Sequence, residues 1–312
     1  PKKVGVEHAS RADLEEALKH CYIHAEQPHA HIGMDQMLED YGVAIVDFNE
    51  GSTVSYPQGH TAKEFFLAKP VQETDALINL CKMKTHALER VTGGVKNLYG
   101  CISGLHKAKG HTKYTNADIF ARQLIDLNQL IKPRFCVMDG IVAMDGNGPT
   151  SGDPVKMKVL LLGNDPVAID SVYCHLVHLD PQMVPTNVHG ETMGLGTWRE
   201  ENIRLLTDGG EITMQEAVER FGNPDFNVDR KKQRGNLWNR FNNGFLRYFQ
   251  KKPYIEADKC KKCGVCVEAC PVEGKALQFK NGRRKPPVYN YHKCIRCFCC
   301  QEMCPHKAIQ VK

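Results

Sequence analysis

The sequence predicts a layered α/β body followed by a small α+β module at the C-terminus. Three observations lead there. Residues 1–228 alternate short apolar runs with amphipathic stretches, the pattern of strands and helices packed in layers. Residues 253–312 spell one cysteine phrase twice, and a basic, aromatic stretch at 229–252 separates the two regions. Length agrees, because 312 residues suggest two domains rather than one small module. The expected division is 1–228, 229–252 and 253–312.

In the body, strands are expected at 42–48, 76–81, 135–143 and 157–163, each a short apolar run between turn residues. Helices are expected at 11–25 behind Ser10, at 116–131 with a cap near Thr115, and after Asp165-Pro166 through 168–179. The stretch 229–252 carries eight Lys or Arg against one Asp, with Trp238, Phe241, Phe245 and Tyr248 at helical spacing. It reads as a basic amphipathic helix whose aromatic face packs the two domains together. Such a helix can instead lie on a membrane surface or grip a partner, whereas nucleic acid is the weaker reading.

The doubled phrase is Cys260, Cys263, Cys266, Cys270-Pro271 and then Cys294, Cys297, Cys300, Cys304-Pro305. Both copies read C-x2-C-x2-C-x3-C-P, a spacing that suits [4Fe–4S] clusters, since soft thiolates two residues apart can wrap a cubane. Zinc sites rarely use three evenly spaced Cys plus a fourth before Pro. The module resembles bacterial two-cluster ferredoxins, in which the fourth Cys of each run ligates the other cluster. That resemblance implies Cys260, Cys263, Cys266 and Cys304 on one [4Fe–4S] cluster, and Cys294, Cys297, Cys300 and Cys270 on a second. Cys299 would then be a non-ligand thiol, because using it breaks the inner spacing.

Nine of the fourteen Cys lie in this module, and Cys21, Cys81, Cys101, Cys136 and Cys174 are scattered. Thiols of this kind point to a reducing, cytoplasmic and anaerobic setting rather than a disulfide framework. No signal peptide and no membrane-spanning apolar run is visible. The chain begins at Pro1 without Met, so a processed or incomplete N-terminus is expected. Residues 1–228 carry 21 Lys and Arg against 30 Asp and Glu, and residues 229–312 carry 20 against 6. An acidic body and a basic tail could dock on one another or attract an acidic electron partner.

The densest polar stretch of the body follows the strand at 76–81. Lys82, Lys84 and His86 are expected to emerge at its carboxyl end, where open α/β sheets bind ligands. Thr92-Gly93-Gly94 then looks like a turn whose backbone N–H groups accept an anion, with His106, Lys107, Lys109 and His111 as further donors. The group His20, Cys21, His24, His29 and His31 lacks a second metal-binding pattern. Lys-x-Lys-Thr-His with Thr-Gly-Gly-x-Lys-Asn-x-x-Gly resembles the prokaryotic family known as domain of unknown function 362. So do Asp145 to Pro149, Ser151-Gly152 and Gly163 to Asp170, and the likeness runs over most of 40–210. That resemblance also implies a first strand with a Lys-Pro-Asn segment, which is not found among residues 1–312. The resemblance implies site-lining roles for Lys84, His86, Lys96, Asn97, Asn147, Asp165 and Asp170.

Together these features predict an iron–sulfur redox protein, and possible catalysis as an oxidoreductase. The cysteine module would receive electrons from a redox partner protein or external donor, and the body would bind and reduce an anionic small molecule. In that scheme Lys84, His86 and Lys96 orient the substrate and His86 donates a proton. The alternatives are a non-catalytic electron-transfer subunit of a larger redox complex and a cluster or metal maturation factor.

Overall fold

The computed structural model of the chain describes residues 2–4, 22–23, 40–41, 44–102, 106–107, 110, 113–114, 116–231, 252–280 and 282–311. Its strands begin with β1 (Lys2–Val4), β2 (Tyr22–Ile23), β3 (Ala44–Ile45), β4 (Gly51–Ser55) and β5 (Glu64–Ala68). They continue with β6 (Ile78–His86), β7 (Arg90–Thr92), β8 (Phe135–Asp145), β9 (Asp153–Val155) and β10 (Val159–Gly163). Then come β11 (Ile203–Thr207), β12 (Gly210–Ile212), β13 (Pro253–Ile255), β14 (Leu277–Gln278), β15 (Val288–Tyr289) and β16 (Ile309–Val311). The helices are α1 (Lys69–Glu73), α2 (Gly94–Asn97), α3 (Ala117–Ile131), α4 (Pro166–Leu176), α5 (Pro185–Thr192), α6 (Met214–Phe221), α7 (Val265–Glu268) and α8 (Cys299–Glu302). A mixed α/β body thus precedes an α+β module, as the sequence predicts.

Eight strands make the central sheet in the order β12-β11-β1-β10-β8-β6-β7, with β9 added to β8. The pairs β6/β8 and β1/β11 run parallel, and the other neighbours run antiparallel. Side chains alternate across the sheet with a period of two. Cys81 and Met83 of β6 therefore share one face with Cys136 and Met138 of β8, and that face packs on Val172 and Tyr173 of α4. On the opposite face Ile78, Leu80 and Leu160 are half-exposed. A second core forms where Phe120, Leu124 and Leu127 of α3 meet Phe65 and Leu67 of β5 and Tyr99. The buried Asp126 of α3 ties down the β4–β5 loop by accepting from His60 N, Thr61 N and Ala62 N at 2.8, 2.6 and 2.7 Å.

Several boundaries differ from expectation for identifiable reasons. The strand expected at 76–81 runs on to His86, because β7 folds back and pairs with Lys84, Thr85 and His86. Lys82, Lys84 and His86 are therefore strand residues and do not emerge from its end. Asn116, not Thr115, caps α3, its Oδ1 accepting from Ile119 N at 2.8 Å. Asp165 caps α4 as expected, but the helix stops at Leu176 and His178 takes a left-handed φ of 53°. Of the run at 42–48, Ala44–Ile45 forms a strand, and β10 begins two residues after position 157. Of the helix expected at 11–25, Tyr22–Ile23 instead form β2, pairing with Ala44–Ile45. The rest of it, the histidines around position 20, Lys109, His111 and residues 232–251 of the basic stretch lie outside the described residues. Among the described residues no helix is long and apolar enough to cross a membrane.

Candidate metal centre and its contact with the body

The cysteine module carries its duplication into the backbone. Three pairs of equivalent positions adopt left-handed φ: Lys262 and Arg296 (58° and 59°), Gly264 and Phe298 (94° and 60°), Lys275 and Lys307 (46° and 51°). Each copy then forms one short helix, α7 or α8. The strands exchange between copies, for β13 ahead of the first pairs with β16 closing the second, and β14 closing the first pairs with β15 ahead of the second. The same exchange brings the fourth Cys of each copy to the other's first three.

Two cavities result. One is lined by Cys260, Cys263, Cys266 and Cys304, with Ile255, Pro287 and Ile309 among its apolar walls. The other is lined by Cys270, Cys294, Cys297 and Cys300, with Leu277 and Phe298 among its walls. Among the described residues no three His, Cys, Asp or Glu side chains converge on a single ion. The thiols instead surround spaces, as a polynuclear cluster requires. Four soft donors per cavity fit [4Fe–4S] better than zinc; the second lining is otherwise largely apolar, and the first adds Lys261, Lys262 and His306 to its apolar walls.

Donors to sulfur complete both sites. Ala276 N lies 3.3 Å from Cys270 Sγ, and its counterpart Ala308 N lies 3.3 Å from Cys304 Sγ. Tyr289 adds a hydroxyl 3.1 Å from Cys300 Sγ. Hydrogen bonds to ligand sulfurs are among the levers that set cluster potential. Cys299 lines neither cavity. Counting along the repeat, it occupies the position of Val265 in the first copy, which has no ligating atom; the buried Cys299 thiol bonds to Cys297 instead.

The helix α8, which carries Cys300 of one cavity and leads to Cys304 of the other, is gripped by the body. Gln301 is fully buried, and its Nε2 sits 3.0 Å from each of Asn147 O, Asn147 Oδ1 and Gly148 O. Asn147 Nδ2 donates to Ile309 O, and Thr150 Oγ1 donates to Glu302 O, both at 3.0 Å. His86 Nδ1 accepts from Leu88 N and Glu89 N at 3.1 Å, which leaves the ring hydrogen on Nε2. That Nε2–H donates to Glu302 Oε1 at 3.0 Å. Burial, helped by the Lys96 charge, pushes His86 down to about 4 against the pull of Glu302, so the contact is a hydrogen bond from a neutral ring rather than an ion pair.

These bonds revise the expected body site. His86 has both ring nitrogens engaged within the protein. The N–H groups of the glycine turn already hold an anion: Asp170 Oδ1 accepts from Gly94 N at 2.5 Å and Oδ2 from Val95 N at 3.1 Å. Gly93 is required there, because a β-carbon would strike Asp170 Oδ1. Burial pushes Asp170 up to about 7, although the two N–H donors pull the other way. Asn97 Nδ2 donates to Asn79 Oδ1 and Leu80 O at 2.8 and 3.1 Å. Asp165 accepts from Val167 N, Ala168 N and Thr197 N at 2.9 to 3.1 Å. Tyr99 donates to Lys107 O at 2.7 Å, which ties the loop near His106 to the core.

What remains beside α8 is a small buried polar group. Lys84, half-buried, and Lys96, buried, both bear on His86, and Lys96 Nζ lies 5.8 Å from the Tyr99 ring centre. Glu89, absent from the sequence reading, is fully buried with both carboxylate oxygens lacking a hydrogen-bond partner. Burial raises it well above the usual carboxylate range, against the pull of Lys96. The sequence reading also missed Gln301, Glu302 and Thr150, because nothing in the chain marks which polar residues of a cysteine motif will face another domain.

Comparison with known families follows this geometry. Residues 21–175 match the family described as Domain of unknown function (DUF362), and residues 252–305 match the 4Fe–4S dicluster domain. Residues 21–175 thus carry a DUF362 match and residues 252–305 a 4Fe–4S dicluster match, in that order along the chain. The second domain gives it an iron–sulfur, electron-transfer character. The chain is also 35% identical over 179 residues to a thylakoid-associated protein of Synechocystis sp., over 57% of this chain and 55% of the relative. It thus spans about half the length of that curated relative.

Proposed function

We propose that the chain is an electron-transfer subunit whose DUF362 body carries and presents a two-cluster module. In this reading Cys260, Cys263, Cys266 and Cys304 hold one [4Fe–4S] cluster, and Cys270, Cys294, Cys297 and Cys300 hold the other. The observation that supports it most is that α8, which carries Cys300 of one four-cysteine cavity and leads to Cys304 of the other, is held to the body by Asn147, Gly148, Thr150 and His86. When bound, the clusters would supply one-electron storage. The residues of the body keep the cavities at a fixed distance from its own interior. The Synechocystis relative is named as thylakoid-associated; contact with a membrane surface would suit such a subunit, with the basic stretch 229–252 as the segment to make it.

A second reading, reduction of an anionic small molecule in the body, is favoured by one observation: Lys96 and the unpartnered Glu89 are buried beside His86. Asp170 and His86 count against it, since each is satisfied within the protein. The test is anaerobic purification, iron and sulfide analysis and EPR of the reduced chain, repeated for Cys270→Ser and Cys304→Ser. About eight iron per chain is expected. Cys304→Ser should disturb the cluster of Cys260, Cys263 and Cys266, and Cys270→Ser the other. Zinc in place of iron, or damage confined to each variant's own motif, would sink the assignment.

A further inference from the structure

An electron-transfer chain needs a surface on which its partner can approach the thiolate-lined cavities. A groove of about 560 Å³ opens on the module, lined by Lys252, Lys275, Lys280, His292, Lys293 and Arg296 and by no Asp or Glu. Ala276 and Tyr289 line this groove and also the cavity of Cys270, Cys294, Cys297 and Cys300. Those two side chains are therefore shared walls of the groove and the cavity, and Tyr289 reaches Cys300 Sγ itself. Lys293 and Arg296 flank Cys294 and Cys297 in sequence, so the cations surround the point of closest approach.

We propose that this groove docks a small acidic electron-carrier protein, a role that rests on the electron-transfer reading above. The lining favours a protein over a small anion. Lys280, His292 and Lys293 are exposed lining residues, and Val288 adds a 46% exposed apolar side chain, a surface better matched to a protein than to a buried small anion. Tyr289 and Tyr291 stack at 5.4 Å, with Lys252 over the Tyr291 ring at 5.3 Å, which makes a flat, cation-edged wall. An apolar centre within a charged rim suits a transient, charge-steered encounter. Charge complementarity selects the sign of the partner: residues 1–228 are acidic in balance, so an acidic carrier is repelled from the body and drawn to the module.

The test is anaerobic calorimetry of the iron-loaded chain with oxidised flavodoxin as an acidic probe and cytochrome c as a basic one. Flavodoxin is expected to bind at low ionic strength and to lose about tenfold or more in affinity on raising NaCl to about 0.2 M. Cytochrome c should not bind. Lys280→Glu with Lys293→Glu should weaken flavodoxin by about tenfold at low salt, and Lys280→Gln with Lys293→Gln by less. Iron content and the EPR of the reduced variants serve as the folding check. Unchanged affinity in both double variants, or equal binding of cytochrome c, would overturn the proposal. Displacement of flavodoxin by millimolar inorganic phosphate at constant ionic strength would also overturn it and assign the groove to small anions. A parent chain that holds no iron would instead refute the electron-transfer reading beneath it.

Discussion

His86→Ala should loosen the body from α8 by several kcal/mol, and the size follows from its contacts. The side chain is fully buried, accepts two backbone N–H bonds and donates one to Glu302. Alanine leaves Glu89 N buried and Leu88 N part-buried without their acceptor, at about 1–3 kcal/mol for an orphaned buried donor. The vacated ring volume adds a packing loss, so a total near 3–5 kcal/mol is expected. His86→Asn, which can restore an acceptor near the Nδ1 position, should recover part of it. The assay is urea denaturation of iron-loaded parent and variants, followed by far-UV circular dichroism and visible absorbance. Acid supplies a second reading of the same site. With the folded value depressed to about 4 from 6.5, the unfolded chain takes up the proton first. The parent should therefore lose about 3 kcal/mol as pH falls from about 6.5 to about 4, a loss that His86→Asn abolishes. A His86→Ala protein within about 0.5 kcal/mol of the parent would refute the reasoning, because that is the scale of an indifferent surface change.

Two other outcomes are expected. Tyr289→Phe removes the hydroxyl beside Cys300 Sγ, and a donor to sulfur stabilises the more negative, reduced state. A bond of about 0.5–1.5 kcal/mol corresponds to a potential lowered by roughly 20–60 mV for a one-electron couple, measurable by an EPR-monitored redox titration. Asp170 should titrate near neutral pH in carboxyl-detected NMR, with the amides of Gly94 and Val95 shifting alongside. Since its folded value is raised from 3.8 to about 7, its contribution to stability is complete below about 3.8 and is lost as pH rises through about 7. An Asp170 that titrates below 3.8 would show that the two N–H donors outweigh burial.

The parts of the fold legible in the sequence were those with local causes. The α4 start follows from Asp165-Pro166, a cap and a proline suited to the first turn. The cysteine spacing likewise dictates loops that wrap a common space, and both copies do so. Two local signals went unread: Thr213 and Glu216 form a reciprocal capping box that starts α6, and Asp208-Gly209 turns β11 into β12. The extension of β6 to His86 had no such signal. It depends on β7 returning to pair with Lys84, Thr85 and His86, and a polar Lys-x-Lys segment looks like the end of a strand until a partner covers it.

The expected anion site failed for a reason that applies to glycine-rich turns generally. Free N–H groups at such a turn attract negative charge, but the sequence does not say whose. Here the charge comes from Asp170, 76 positions beyond Gly94 and brought in by α4 packing beneath the turn. The same logic holds for Asn97, Asp165 and Asn147, each chemically suited to a ligand and each occupied by another part of the chain. The polar residues that resemble a catalytic set are thus largely committed to holding one interior and one boundary. That boundary is α8, which carries Cys300 and leads to Cys304, so the bonds among His86, Asn147, Gln301 and Glu302 fix where these thiols lie relative to the body. Glu89 and Lys96 stand apart from this pattern, because the buried oxygens of Glu89 have no hydrogen-bond partner, which makes them the first residues to test for chemistry in the body itself.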